Sequence, residues 1–256
     1  MKALVAYFSQ TGNTRQVAEG VARGLADAGC DPVHIPPIEK VGPEEWRDCD
    51  LFVLGTPVFY YKEPANVRAW IRSLAPRDPV PAFTFITHGG NPTNTLRRMQ
   101  RLLRPKGARI LGSFECFGYD TYPIYMKSFR QWGHPDADDL AAAEEFGRGA
   151  ARQAERFLAG EPVPEASYPF VGGRTFRLSI LCRRPILEWM FPRLGLNRDL
   201  CTQCGACAKR CPTENIALDP WPAFDDRCIR CYLCERICPH NAIQCDWRFM
   251  TRLMNP

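Results

Sequence analysis

The stretch YFSQTGNTRQVA, residues 7–18, leads from an apolar strand pattern into a helical pattern through a polar loop. This loop offers the hydroxyls of Ser9, Thr11 and Thr14, and it has no charged side chain before Arg15. The N-terminus of a helix favours an anion because its first N–H groups are unpaired. Gly12 lets the backbone curl around such an anion. We therefore expect the loop to hold a terminal phosphate without a metal ion.

Two common nucleotide-binding patterns do not occur in this loop. A nucleoside triphosphate loop needs GxxxxGK[ST], whose lysine and hydroxyl handle the polyphosphate and its magnesium ion. The dinucleotide fingerprint GxGxxG does not occur there either. A structural alternative stays open, since serine and threonine are also preferred as the first residue of a helix.

Apolar runs and helical patterns alternate over the first 160 residues. This alternation predicts an α/β fold, a doubly wound parallel sheet of five strands with helices on both faces. Ligands of such sheets bind beyond the carboxyl ends of the strands, where the strand order reverses. The loops at 9–14, 56–62 and 87–94 should meet there. The predicted strands are 2–8, 32–35, 50–56, AFTFITHGG at 82–90 together with its loop, and RILGSFECFG at 109–118, and the predicted helices are 13–29, 64–74, 93–104 and 135–160.

Eight of the 13 cysteines lie between residues 201 and 238. Residues 201–212 read CTQCGACAKRCP and residues 228–239 read CIRCYLCERICP, so C-x2-C-x2-C-x3-C-P occurs twice. In this pattern three thiolates hold one [4Fe–4S] cluster and the fourth holds the other cluster. The spacing assigns one cluster to Cys201, Cys204, Cys207 and Cys238, and the second cluster to Cys228, Cys231, Cys234 and Cys211.

Zinc is the competing ligand for these cysteines. A structural zinc site takes four ligands in two pairs, and two runs of four cysteines with paired prolines fit that arrangement poorly. Disulfides are rarer still in a cytosolic chain. The remaining cysteines are expected to pack as small apolar side chains; these are Cys30, Cys49, Cys116, Cys182 and Cys245.

The hexapeptide SQTGNT resembles the phosphate loop of flavodoxins, and the likeness extends over about residues 1–165. GTPVFYYKEPANV at 55–67 looks like the second flavin loop of that family, and THGGNPTN at 87–94 looks like the third. The resemblance implies FMN, with its phosphate in the first loop and its isoalloxazine between the other two. The implied FMN-binding residues are Ser9, Gln10, Thr11, Gly12, Asn13, Thr14, Thr56, Pro57, Val58, Phe59, Tyr60, Thr87, His88, Gly89 and Gly90.

The second loop carries more aromatic side chains than one flavin ring can use. Phe59 or Tyr60 is expected to stack on the ring, but Phe59, Tyr60 and Tyr61 cannot all do so. The others pack internally or contact another chain, so a homodimer stays open as an alternative. Gly89 and Gly90 would let the backbone approach the edge of the ring.

Residues 198–246 resemble bacterial two-cluster ferredoxins, and the whole chain is similar to the flavodoxin–ferredoxin fusion proteins of anaerobic metabolism. The implied domains are a flavodoxin-like FMN domain at 1–165, an Arg-rich apolar linker at 166–198 and a small α+β ferredoxin-like domain at 199–256. The stretch 174–198 departs from the family, since six arginines and one glutamate give 6 − 1 = +5. It would bridge the domains, dock an acidic electron donor or lie on an anionic membrane.

FMN exchanges electrons singly or as a hydride, whereas each cluster moves one electron at a time. We therefore predict an iron–sulfur flavoprotein oxidoreductase. Its clusters would take electrons from a low-potential donor such as ferredoxin, and its FMN would reduce a small organic substrate. The alternative is an electron carrier that relays electrons between partner proteins and has no small-molecule substrate.

The segment GYDTYPIYMKSFRQWGHP, residues 118–135, favours the reductase. It follows the fifth strand at the cofactor end, is too long for a simple turn and carries several proton donors, so it is expected to form a lid over the cofactor. Tyr122 and His134 are the predicted catalytic residues, and Tyr119 and Tyr125 are further candidates. The alternative is an ordinary surface loop whose aromatic side chains are packed.

The remaining expectations concern location and partners. The net charge of +5 is spread along the chain and gives little support to nucleic-acid binding. The opening MKALVAYFS shows no cationic leader, and no run of 18 apolar residues occurs. We expect a cytoplasmic protein that binds neither nucleic acid nor membrane.

Overall fold

The structure is a computed structural model that describes residues 1–123, 131–182 and 184–254. The described chain forms two compact units. The first unit contains residues 1–120 and 131–179, and the second contains 121–123, 180–182 and 184–254. The first unit therefore continues past residue 165, and the short segment after Asp120 belongs with the second unit.

A parallel sheet of five strands in the order β2-β1-β3-β4-β5 forms the centre of the first unit. Its inner strands are continuous apolar runs because helices cover both faces of such a sheet; Val5, Val53 and Phe83 are fully buried. The predicted doubly wound fold is confirmed. The strands are β1 (Ala3–Tyr7), β2 (Val33–His34), β3 (Leu51–Pro57), β4 (Val80–His88) and β5 (Ala108–Phe117).

Helices connect these strands. The close approach of the first and last helices depends on glycine, since a Cβ atom on Gly147 would lie 2.1 Å from the carbonyl oxygen of Val21. Sequence patterns did not predict the short second helix or the two 3-10 turns at Ile38–Lys40 and Arg104–Lys106. The helices are α1 (Asn13–Asp27), α2 (Pro43–Asp48), α3 (Ala65–Ser73), α4 (Thr95–Leu103) and α5 (Ala137–Leu158).

Residues 165–171 form a strap that binds back onto the first unit after α5. The Ala166 N–H donates to the carbonyl of Ile110 in β5 at 2.7 Å. The side chain of Asn94 both accepts from the Val171 N–H, at 2.8 Å, and donates to its carbonyl, at 2.7 Å. The first part of the predicted linker is therefore bound along β5 and the start of α4.

The second unit is small and mixes short helices with two antiparallel strand pairs, β6–β9 and β7–β8. In the part of the chain that the structure describes, no helix is long and apolar enough to cross a membrane. The elements are α6 (Arg174–Leu181), which begins in the first unit, α7 (Arg184–Met190), β6 (Gly195–Leu196), α8 (Ala206–Lys209), β7 (Ile216–Leu218), β8 (Pro222–Phe224), α9 (Leu233–Ile237), β9 (Ile243–Gln244) and α10 (Arg248–Met254).

The repeated cysteine motif is also a repeat of backbone conformation. The residues with positive φ occur in matched pairs: Gln203 with Arg230, Gly205 with Tyr232, and Glu214 with Asn241. In each copy the amide four residues after the last cysteine donates to its sulfur, from Asn215 to Cys211 and from Ala242 to Cys238. The local sequence pattern thus specifies one fold twice.

Candidate functional site

Thr87, the penultimate residue of β4, connects the three predicted flavin loops. Its hydroxyl lies 2.8 Å from the hydroxyl of Thr14 in the first loop. Its carbonyl accepts the N–H of Val58 from the second loop at 2.9 Å. Both threonines are buried. The expected meeting of these loops at the carboxyl ends of the strands is confirmed.

The first loop, residues 9–14, enters α1 through Gly12, which has φ +105°. This left-handed conformation strains any residue with a Cβ atom. Gly12 is the N-cap residue of α1 and has no side chain with which to cap it; the loop carries the hydroxyls of Ser9, Thr11 and Thr14. Ser9 Oγ accepts the Gly12 N–H at 3.2 Å and shapes the loop. The first-turn amides of α1 and these hydroxyls suit a phosphate.

The second loop makes a tight turn between Phe59 and Lys62. The two residues exchange N–H···O=C hydrogen bonds of 2.8 and 3.0 Å. Tyr60 and Tyr61 lie between them with φ +50° and +64°, a conformation that costs energy for bulky residues. The ring of Phe59 packs edge-on against Phe8, with ring centroids 6.2 Å apart. Strain of this kind is typical of ligand-binding loops.

A buried carboxylate fixes the end of this loop. The side chain of Glu63 is 0% exposed, and Arg68 Nε donates to it at 2.6 Å. The guanidinium of Arg98 donates to both of its oxygens. Burial opposes the charge, but the two arginines outweigh it and hold the pKa of Glu63 below its usual value. The second loop is thereby attached to α3 and α4. Thr56, at the end of β3, is buried, and Pro57 follows it.

In the third loop, His88 is followed by two glycines. A Cβ atom on Gly89 would lie 2.6 Å from a carboxylate oxygen of Asp120, so a larger residue there would have to displace the Asp120 side chain. The Gly90 N–H donates to His88 Nδ1 at 3.1 Å. Burial lowers the pKa of His88 to about 4, so the imidazole is neutral at physiological pH.

His134 lies beside Asp139, with 2.5 Å between Nδ1 and the carboxylate. This hydrogen bond raises the pKa of His134. The ring of Phe117, which is 41% exposed, lies between two imidazoles, 5.2 Å from His88 and 5.7 Å from His134 between centroids. The predicted proton donor His134 therefore lies near the third flavin loop, at the carboxyl end of β5.

Tyr122, the other predicted catalytic residue, belongs to the second unit. Its ring packs edge-on against Phe191, Tyr232 and Trp247, with centroids 5.4–5.9 Å apart. Its catalytic assignment stays a prediction. Tyr125, a further candidate, lies outside the described residues.

The structure brings together each predicted set of four cysteines. One cavity is lined by Cys201, Cys204, Cys207 and Cys238. A second is lined by Cys211, Cys228, Cys231 and Cys234. All are free thiols, and Cys245 lines neither cavity.

Backbone N–H groups point at several of these sulfurs. The Asn215 N–H lies 3.3 Å from Cys211 Sγ, and the Ala242 N–H lies 3.2 Å from Cys238 Sγ. Burial opposes ionisation of Cys238, but surrounding amides lower its pKa overall. Burial raises the pKa of Cys231 to about 11. Two cavities with four thiols each suit metal clusters that bind thiolates.

Family comparisons agree with this arrangement. A flavodoxin domain model matches residues 4–120, and a 4Fe-4S dicluster domain model matches residues 193–239. The chain belongs to the flavodoxin–ferredoxin fusion family. An uncharacterized protein of Methanocaldococcus jannaschii is 31% identical over 152 residues, which cover 58% of this chain and 97% of that protein. These matches indicate FMN and iron–sulfur clusters as the cofactors of this fusion protein and an electron-transfer role for it.

Solved structures resemble the first unit in fold. A flavone reductase is 13% identical with a TM-score of 0.51, covering 65% of this chain and 66% of that chain. A flavodoxin from the domain Archaea is 19% identical with a TM-score of 0.49, covering 60% of this chain and 99% of that chain.

Sequence reasoning missed several residues that shape the site. Glu63, Glu115 and Tyr168 gave no local signal, because their partners are distant in the chain. Asp139 did give a local signal in the sequence. Residues 136–139 form a capping box, in which Asp136 accepts the Asp139 N–H at 3.0 Å, and an acidic residue three positions after a capping residue is a readable mark of a helix start.

Proposed function

We propose that the protein is an iron–sulfur flavoprotein oxidoreductase that reduces a small organic substrate. Electrons would enter singly from a low-potential donor such as ferredoxin, pass through two [4Fe–4S] clusters and reach FMN. The observation that carries the proposal is the hydrogen-bonded pair of His134 and Asp139 near the third flavin loop. A carrier has no need of a proton donor at that position.

The donor sets support the cofactor assignment. Four thiols line each cavity of the second unit, which matches the four cysteines of each cubane cluster. A Cβ atom at Gly12 would meet no atom nearer than 3.9 Å, so the first loop has space for a ligand beside its backbone. When bound, FMN accepts single electrons and delivers a hydride.

The protein would supply the proton that completes the reduction. Asp139 binds Nδ1 of His134, so Nε2 is the nitrogen from which a protonated imidazole would donate. The raised pKa keeps a larger share of His134 protonated at neutral pH. Phe117 and Trp132 are 41% and 66% exposed, and they suit a planar, partly apolar oxidant such as a quinone, a nitro compound or an α,β-unsaturated carbonyl compound.

One observation favours the electron carrier as a second candidate. Tyr122, expected in a catalytic lid, packs against three aromatic rings of the second unit. Part of the 118–135 segment thus has a packing role that a carrier would also need.

In either role we place the protein in the cytoplasm, without nucleic acid or membrane partners. The arginines of 174–198 would suit an acidic donor, and a homodimer stays an alternative.

The two candidates are separated by a screen of small oxidants with intact, cofactor-replete protein. The reductase predicts turnover of a member of the screen, driven by a ferredoxin-type donor. His134→Gln should lower that turnover at least about tenfold, while flavin content, iron content and the rate of flavin reduction stay unchanged. His34→Gln, at an exposed imidazole that pairs with Glu45, is the matched control and should keep full turnover. A screen without turnover supports the carrier.

A further inference from the structure

A polar layer lies between β4, β5 and α4 below the third flavin loop. The hydroxyls of Thr84 and Ser113 lie 2.9 Å apart, and Gln100 Nε2 donates to Ser113 Oγ at 2.8 Å. Thr84 and Gln100 are buried. Buried polar groups are costly unless they are hydrogen-bonded, and this layer leads along β5 from Ser113 to Glu115.

Glu115 is the acid of this layer. Its side chain is 29% exposed, and the hydroxyl of Tyr168 in the strap donates to Oε1. Its other oxygen, Oε2, lies 3.8 Å from Nε2 of His88. The carboxyl group is therefore held between the strap and His88 of the third loop.

The hydrogen bonding of His88 determines which of its ring nitrogens carries the proton that faces Glu115. Nδ1 accepts the Gly90 N–H, so a neutral imidazole carries its proton on Nε2. That N–H lies on the side of Glu115. His88 is neutral above about pH 4, so the two residues are not an ion pair at physiological pH. The imidazole of His88 therefore lies between the carboxyl group of Glu115 and the backbone N–H of Gly90. A change of charge on Glu115 acts on the loop through this ring.

Few other charges act on this carboxyl group. Among the described residues, the titratable groups that face it are His88 from β4 and Tyr168 from the strap. Arg97 of α4 binds the Tyr168 carbonyl, at 3.2 Å, and not the carboxylate. Burial alone raises the pKa of Glu115. Burial first, and then the charges of Asp139 and Asp136, raise the pKa of the thiol of Cys116, the next residue.

We propose that Glu115 is a redox-linked proton site for the cofactor of the third loop. This inference rests on the proposed FMN function. Reduction of the flavin adds negative charge near the loop, and the carboxylate of Glu115 responds by binding one proton from solvent over the whole reduction. Oxidation returns that proton to solvent. Glu115 thus acts on the flavin through His88, as a positioning residue and not a catalytic one. Its protonation adds a pH dependence to the flavin potential.

The test measures the flavin midpoint potential of the intact protein against pH, over roughly pH 5 to 9, a range that includes a raised carboxyl pKa. The wild-type curve should bend at the redox-linked pKa of Glu115, and Glu115→Gln should remove the bend. Reduction-induced infrared difference spectra should show a carboxylic acid band that this variant also loses. An unchanged curve in an FMN-replete variant overturns the inference.

Tyr168→Phe is the second variant and keeps the carboxyl group. Removing a donor to the carboxylate disfavours its charged form, so the bend should move to higher pH. A bend that stays in place or moves to lower pH overturns the inference, even if Glu115→Gln does not fold.

The amount of bound flavin is measured first in every sample. Protein that binds no FMN overturns the proposed function, and this inference with it; FMN-replete variants with wild-type curves overturn this inference alone.

Discussion

The buried carboxylate of Glu63 accepts two hydrogen bonds from the guanidinium of Arg98, from Nε at 2.8 Å and from Nη2 at 2.9 Å. Glu63 immediately follows the second flavin loop, and Arg98 lies in α4, 35 residues later. Together with Arg68, this pairing holds a loop with two consecutive residues at positive φ. A buried ion pair is a poor general source of stability but a strong constraint on conformation.

We expect Glu63→Gln to lower the free energy of unfolding by about 2 kcal/mol, because it leaves two guanidinium groups without a counter-charge. The cost stays below that of a fully buried pair, since the Arg68 and Arg98 side chains are 29% and 41% exposed. Urea unfolding measures it. Glu19→Gln, which removes an exposed pair with Arg15, is the control and should cost less than about 0.5 kcal/mol.

The same pair has a defined pH dependence. Because the folded-state pKa of Glu63 is lowered, its stabilisation is present above the unfolded pKa of about 4.3 and is lost as the pH falls through the folded value. The difference in stability between wild type and Glu63→Gln should therefore shrink on acidification below about pH 4. A difference that is constant down to about pH 2 would show that the carboxylate charge is not what holds the loop.

The phosphate assignment predicts a specific effect at Thr11. Thr11→Asp places a carboxylate in the loop where the phosphate should bind, and repulsion should weaken FMN binding at least about tenfold. Thr11→Asn has nearly the same shape without the charge and should bind FMN close to wild type. Flavin fluorescence titration measures both variants. Equal affinities for FMN and riboflavin would contradict a phosphate site at residues 9–14.

The cysteine assignment predicts about eight irons per chain in anaerobically purified protein. Cys201→Ser and Cys228→Ser should each lose about four of them, because the two thiols line different cavities. Cys245→Ser is the control and should keep all of the iron, since Cys245 lines neither cavity. Iron analysis and absorption spectra check this. Bound zinc without charge-transfer absorption would reject the cluster assignment.

The sheet order and the cysteine sets could be predicted because both follow from local patterns. Apolar runs of strand length alternate with helical periodicity, and that alternation constrains the topology. The cysteine spacing likewise fixes which thiols converge, and the two observed cavities contain the predicted sets.

What the sequence did not reveal depends on distant contacts. In the sequence, Glu63 is a polar loop residue before Pro64. Its partner Arg98, which helps to bury it, lies in α4 and is distant in the chain. The strap sequence EASYPFV has no helical or strand periodicity, and its place is fixed by Asn94 and Ile110. Tyr122 was predicted in a lid, but it packs against Tyr232 and Trp247, more than 100 residues away.

The strap gives the last prediction, in which fragments 1–160 and 1–173 are compared. The longer fragment keeps the bonds of Asn94 to Val171 and of Ala166 to Ile110, together with the Tyr168 hydroxyl on Glu115. At about 0.5–1.5 kcal/mol for each net hydrogen bond, less the cost of ordering the strap, it should be more stable by about 2 kcal/mol. Both fragments lose the aromatic partners of Tyr122 equally, so that loss cancels in the comparison. Urea midpoints measure the difference.

Glu165→Gln in the longer fragment is the control, because its pairs with Arg104 and Arg109 are exposed and should contribute less than about 1 kcal/mol. Equal midpoints for the two fragments would show that residues 165–171 act only as a linker.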